Sequence, residues 1–369
     1  MNLDKLNWLP FNRERLNKMI AENANQDNYA VLDWDYTCVF YDTQDSLFIY
    51  QTDNLLFKLT PARFSKVIRH NIPQDKPLGL QNDLGKELTA ELLSKDLDYL
   101  YEFLYHRFEG LGGNLPLSEI KNMPEFNDFR VKLFLLMCGG HRVAKVDIGQ
   151  LVSTGFNLDE YNAIAESSID FALKAKLDTA FLASTDSGNA GKCSIRRQEG
   201  IRSQVEIQNL IKVFKENGIE TYICTASQID NIRVFASLPK YGYNIKPENV
   251  FGQRRVIDKN NIITVEDDFS LGYTHGPGKA ETIKNCIMQK HKSKPPVLIA
   301  GDSDGDFYMM NEFKDSSLLL IFDKNQSEMT KIYQFIQKGI NTREDMNTSI
   351  IVQSRDNTTG LFSKSDKTR

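Results

Sequence analysis

From residue 200 onward the chain alternates short apolar runs with amphipathic stretches of helical length, and no other feature restricts its fold as much. "RSQVEIQNLIKVFKENGIE" has the apolar period of a helix that Gly218 ends, and "TYICTA" follows as an apolar strand. Ser227 stands where it would N-cap a helix over 228–237. "ENVFGQRRV" and "NIITVED" suggest short strands. Next come a helix over 279–290 after "HGPG", the strand "PPVLIAGD", a helix over 304–313, the strand "SLLLIFD", a helix over 327–338 and a last strand "SIIVQS". Strands separated by helices make βαβ units, and such units build a parallel sheet.

The same pattern starts near the N-terminus and is interrupted. Residues 11–23 read as an amphipathic helix and 29–34 as a buried strand. Helical periodicity then dominates 43–58, 86–108, 125–138 and 158–176, with the breakers "NIPQDKP" and "EGLGGNLP" between. The expected architecture is α/β: a parallel-sheet core from 1–42 and 201–369, with a mostly helical domain, 43–200, inserted after the first strand. A chain of 369 residues, 41% hydrophobic, is long and apolar enough for two such units.

Charge and cysteine usage remove several classes of function. Net charge is −4, and the densest basic spots are Lys292 with Lys294 and Arg196 with Arg197, too sparse to follow a phosphate backbone, so nucleic acid is not an expected partner. Cys38, Cys138, Cys193, Cys224 and Cys286 are odd in number and form no C-x-x-C pair, which fits a reducing compartment rather than a disulfide framework or a zinc site. "MNLDKLNWLPFN" has no apolar signal region and no run of 18 apolar residues occurs, so the expectation is a cytoplasmic protein without a membrane partner. Oligomeric state has no signature in the sequence.

In a doubly wound sheet the site lies at the carboxyl ends of strands, and four polar clusters fall near such places. Asp33, Asp35 and Thr37 follow "YAVL", Thr225 and Ser227 end "TYICTAS", Lys279 opens a helix after Gly-Pro-Gly, and Asp302, Asp304 and Asp306 follow "VLIAG". Each has a plain structural reading alone: a cap or turn, a strand end with an N-cap, a solvated lysine, or a calcium loop. The calcium loop fails on spacing, since an EF-hand starting at Asp302 needs Gly at 307 and Glu at 313, where Phe307 and Phe313 stand. Together the clusters hold acids, hydroxyls and one amine, a set suited to phosphoryl transfer through a carboxylate nucleophile with Mg²⁺.

Asp33-Trp-Asp35-Tyr-Thr37, "YICTAS", "GPGK" and "AGDSDGD" resemble, in order, the four motifs of the haloacid dehalogenase-like superfamily. The likeness covers about 25–42 and 200–355, and the insertion after the first motif resembles the helical cap of its phosphoserine-phosphatase-like branch. "GIETYICTASQIDNIRVFA" and "YTHGPGKAETI" are most similar to bacterial phosphorylcholine phosphatases. The resemblance implies a Rossmann-like core, a small phosphorylated metabolite as substrate and Mg²⁺ as cofactor. It makes Asp33 the nucleophile and Asp35 the acid and base, and places Thr225, Ala226 and Lys279 on phosphate oxygens. It makes Asp33, Asp35 (through its carbonyl) and Asp302 metal ligands, with Asp306 behind them. An acid at 35 separates phosphatases and phosphomutases from dehalogenases, which need none there. Trp34, Tyr36, Phe40 and Tyr41 are candidates for a cage around a quaternary ammonium. A phosphotransferase or phosphomutase is the alternative within the fold, and a non-catalytic binding protein the alternative outside enzymes. The completeness of the motifs speaks against the second.

Overall fold

The computed structural model describes residues 2–364, which divide into two compact units. The first comprises 2–43, 200–254 and 268–364, and the second comprises Gln44–Glu199 and Arg255–Asp267.

Six strands form one sheet in the first unit: β1 (Asn28–Leu32), β2 (Ile219–Gln228), β3 (Val250–Gln253), β4 (Leu298–Gly301), β5 (Leu318–Phe322) and β6 (Ile350–Gln353). Their order is β6-β5-β4-β1-β2-β3, with every neighbour parallel. The chain builds outward from β1 to one side through β2 and β3, and to the other through β4, β5 and β6. The order therefore reverses beside β1, which is where this topology opens a crevice. β1 and β5 are buried at every residue, as unbroken apolar runs must be when helices cover both faces. Side chains of one face, among them Tyr29, Val31, Tyr222, Ile299, Leu319 and Ile321, join Met309 and Phe313 in one core. Each such large side chain contributes roughly 1.5–3 kcal/mol when fully removed from water. Helix Val205–Glu216 packs on β2 and buries Ile207, Leu210, Ile211 and Phe214. It ends before Gly218, whose φ of +69° is the left-handed conformation that glycine tolerates.

The second unit is built on helices Thr43–Asp53, Ala90–Tyr105, Pro124–Ala144 and Leu158–Lys174. Leu93, Leu97, Leu100, Tyr101 and Leu104 share its core with Phe126, Phe129, Leu133 and Leu136, and Phe64 stacks on Tyr101 at 3.9 Å between ring centres. Three antiparallel pairs complete it: Pro77–Gln81 with Glu87–Thr89, Asp178–Ala183 with Ser194–Glu199, and Arg255–Ile257 with Ile263–Asp267.

Three details differ from the expectation. The hairpin 255–267 groups with the inserted residues and not with the sheet, because the Gly155 N–H donates to the Ile263 carbonyl (2.9 Å) and the Ile263 N–H to the Phe156 carbonyl (2.9 Å). The helix expected over 327–338 is Tyr333–Asn341, because the residues before it are held in a loop described below. The helix expected over 279–290 is regular only over Pro277–Thr282 and continues as a wider, then a tighter, helical turn to His291.

Candidate active site

β1 stops at Leu32, and Asp33 is the first residue beyond it. Its N–H still donates to the Ala300 carbonyl of β4 at 3.0 Å, so the backbone of Asp33 is fixed by the sheet. The chain then turns tightly: the Trp34 carbonyl accepts from the N–H groups of Thr37, Cys38 and Val39. Tyr36 pays for that turn with a φ of +57°, a region non-glycine residues avoid. Arg355, almost fully buried, donates to the Tyr36 carbonyl and, at 2.7 Å, to the Thr37 carbonyl, and so holds the strained turn from below.

The turn gives the two aspartates different surroundings. Asp33 receives the Lys279 ammonium on Oδ1 at 2.6 Å and the Thr37 hydroxyl on Oδ2 at 3.3 Å. Asp35 receives the Thr43 N–H at 2.7 Å and the Ser227 hydroxyl at 2.5 Å. Burial pushes both carboxyls above their ordinary range; Asp306 raises Asp33 further and Lys279 opposes it, while Ser227 and Thr43 oppose the rise at Asp35. A carboxyl that holds its proton longer than usual suits an acid catalyst.

β4 delivers Asp302, and helix Asp304–Phe313 starts two residues later. The Asp306 carboxylate folds back: Oδ2 accepts the N–H of Asp302 (2.9 Å) and of Ser303 (3.2 Å), and Oδ1 takes Lys279 at 2.7 Å. Only glycine at 301 permits this, since a Cβ there would lie 2.6 Å from the Asp306 side chain. Lys279 thus bridges Asp33 and Asp306. Burial works against its charge, yet those two carboxylates hold its pKa above the usual amine value. Asp302 also has its pKa raised by burial, against the ammonium of Lys324, which pairs with its Oδ2.

Carboxylate oxygens of Asp33, Asp302 and Asp306 lie within 4.8 Å of one another. Hard oxygen donors at this spacing fit Mg²⁺, and a lysine ammonium already rests on Asp302 where a cation is wanted. Asp306 Oδ2 is taken by two backbone N–H groups, which makes Asp306 the brace of the loop that presents Asp302.

Thr225, buried near the end of β2, accepts the Ser227 N–H on its hydroxyl at 3.1 Å, and Ala226 between them is half-buried. Trp34 does not fit a substrate cage: it is fully buried, donates to the Thr43 hydroxyl and packs against Phe235 and Tyr243. Tyr36 and Tyr41 are half-buried and meet Phe40 in one aromatic group. Ser227 does not N-cap the next helix, which starts at Ile229 without a side-chain cap; its hydroxyl belongs to Asp35. Asp304 is half-buried and accepts the Ile332 N–H at 2.9 Å. Thr43, Lys324 and Arg355 were not found from sequence. Thr43 meets Asp35 through its backbone N–H as well as its side chain, at a helix start outside the motifs, and the other two stand far along the chain from the motifs they touch.

A curated phosphorylcholine phosphatase from Pseudomonas aeruginosa is 24% identical over 345 residues, covering 88% of this chain and 82% of that protein. Three of the four motifs lie at strand ends of the parallel sheet, and the fourth places Lys279, at the start of a helix, on Asp33. The chain is thus similar to a phosphatase over most of its length. A solved protein of unknown function from Anaerococcus prevotii has the same fold, with a TM-score of 0.91 and 28% identity over 100% of this chain and 98% of its own. No family model matches this chain. Among its described residues, no helix is long and apolar enough to cross a membrane.

Proposed function

We propose that the chain is a Mg²⁺-dependent phosphomonoesterase that hydrolyses a small phosphorylated metabolite through an aspartyl-phosphate on Asp33. The observation that carries this reading is the division between two aspartates two residues apart: Asp33 is matched to Lys279, Asp35 to neutral donors.

Asp33 attacks phosphorus while Asp35 gives its proton to the departing oxygen, so the alcohol leaves neutral. Asp35, now a carboxylate, takes a proton from water, which attacks the phosphoryl group and releases Asp33 and phosphate. Thr225, the Ala226 backbone and Lys279 hold the phosphoryl oxygens, and Ser227 and Thr43 keep Asp35 aimed. Mg²⁺, held by Asp33, the Asp35 carbonyl and Asp302, would neutralise charge on the nucleophile and the phosphoryl oxygens.

The named relative and the half-buried rings of Tyr36 and Tyr41 support phosphocholine as the substrate, because aromatic faces attract a quaternary ammonium. Purified protein with Mg²⁺ is expected to turn over phosphocholine with kcat/KM about tenfold above phosphoethanolamine, the ~1.4 kcal/mol of a partly desolvated cation–π contact. Equal rates on the two amines, or preference for phosphoserine or a sugar phosphate, would remove phosphocholine. Absence of turnover across phosphorylated metabolites would remove the phosphatase.

A further inference from the structure

Three carboxylates converge at the site, Asp33, Asp302 and Asp306, and two ammonium groups touch them, Lys279 and Lys324. Lys279 is 3% exposed and bridges two of the three, so it belongs to the framework. Lys324 differs. Its side chain is 32% exposed, it contacts Asp302 alone of the three, and its ammonium lies 4.2 Å from the centre of the Tyr36 ring. A divalent ion would bring two positive charges to a cluster that already holds two. With the ion present three carboxylates face four positive charges, and Lys324, the more exposed amine, becomes surplus.

We propose that Lys324 is a tethered stand-in for the divalent cation: it holds the Asp302 carboxylate while no ion is bound, and an entering ion displaces it. This rests on the reading of the site as a divalent-metal phosphatase.

The loop that carries Lys324 is built for such an exchange. It follows β5 and is fastened to the fourth motif twice without the ammonium: the Gln326 side chain donates to the Asp302 carbonyl at 2.8 Å, and the Ile332 N–H donates to Asp304. This gives Asp304 a purpose outside the metal site. The flexible lysine stem lets the charge move while these two contacts keep the loop in place. A buried carboxylate without a partner is costly, and Lys324 supplies that partner to Asp302. It also lowers apparent metal affinity, because an ion binds only to the fraction of molecules in which Asp302 is released.

Titration with Mn²⁺, followed through the electron paramagnetic resonance of the free ion, reads this without reference to turnover. Lys324→Met keeps the chain length and removes the charge, and is expected to bind Mn²⁺ about tenfold more tightly. Lys324→Arg keeps the charge and should stay near the parent protein. Equal or weaker binding by a folded Lys324→Met protein overturns the proposal, whereas absence of Mn²⁺ binding by parent and variants alike overturns the metal reading with it. Should Lys324→Met fail to fold, the parent protein serves: brief acylation of lysines with and without Mg²⁺, mapped by mass spectrometry, is expected to show Lys324 several-fold more reactive with the ion. Reactivity unchanged or reduced by Mg²⁺ contradicts displacement.

Discussion

In the inserted unit, Lys132 and Asp96 meet at 2.7 Å with side chains 1% and 2% exposed. Asp96 also accepts the Asn189 N–H (2.6 Å), the Asn189 side chain (2.8 Å) and the Ala190 N–H (2.9 Å), while Lys132 donates to the Ser187 carbonyl at 2.6 Å. One cation faces one anion, and both are supplied with hydrogen bonds. In the sheet unit, Lys279 and Lys324 face three carboxylates, Asp302 makes one ion pair among the described residues, and Asp33 and Asp302 are held away from their ordinary protonation. Both regions bury charge beside charge. Balance marks the first as a fastening of residues 187–190 onto two helices, and imbalance marks the second as a place for an added ligand.

This contrast makes opposite predictions for the same substitution. Asp33→Asn should lower turnover by roughly 10³-fold or more. Its melting temperature should stay level or rise, because one of three crowded anions is gone and Lys279 keeps Asp306. Asp96→Asn should do the reverse, costing about 3–5 kcal/mol by leaving Lys132 buried without its partner, with near-normal kcat per folded molecule. Comparable stability losses in the two variants would erase the distinction.

Acid sharpens it. Despite burial, which alone would raise it, the pKa of Asp96 is lowered by Lys132, Ala190 and Asn189, from an ordinary value of 3.8. A lowered folded-state value contributes stability that is present above the unfolded value and lost as pH falls through the folded one. Calorimetry should therefore find the gap between parent and Asp96→Asn complete at neutral pH and closing only below about pH 4. A gap that closes between pH 5 and 7 would assign it to other groups.

The smallest effect concerns Ser227, whose hydrogen bond favours the ionised form of Asp35. Ser227→Ala should raise the pKa of Asp35 and move the alkaline limb of kcat/KM upward, with turnover reduced under about tenfold. An alkaline limb that does not move would mean Asp35 is not the acid it reports.

The site motifs were legible because an apolar run that ends in carboxylates is a local signal. Asp33, Asp302 and Asp306 were found this way and Lys279 from the Gly-Pro-Gly turn before it, and the four do come together. What was hidden depends on contacts distant in sequence. Ser227 has the type and position of an N-cap, and only the approach of Asp35, 192 residues away, shows where its hydroxyl goes. Lys324 and Arg355 sit in no motif, since a single lysine or arginine after a strand has no pattern. The hairpin 255–267 reads as sheet strands because its local composition is that of a strand; the backbone bonds at residues 155–156 that draw it to the insertion have no local trace. Trp34 failed as a substrate contact for a related reason, because its neighbours Phe235 and Tyr243 are remote in the chain.

The central claim is that Asp33 carries the phosphoryl group and Asp35 moves the protons, and one variant separates them. Asp35→Asn keeps the nucleophile and the backbone carbonyl at 35, but removes the acid of the first step and the base of the second, each worth ~10²–10⁴-fold. With p-nitrophenyl phosphate, whose leaving group needs little protonation, the first step should outlast the second. Mass spectrometry of the rapidly quenched protein is then predicted to find an ~80 Da increase on the peptide containing Asp33, absent from Asp33→Asn. A phosphoryl group found on Thr225 instead, or turnover retained by Asp33→Asn, would contradict the account.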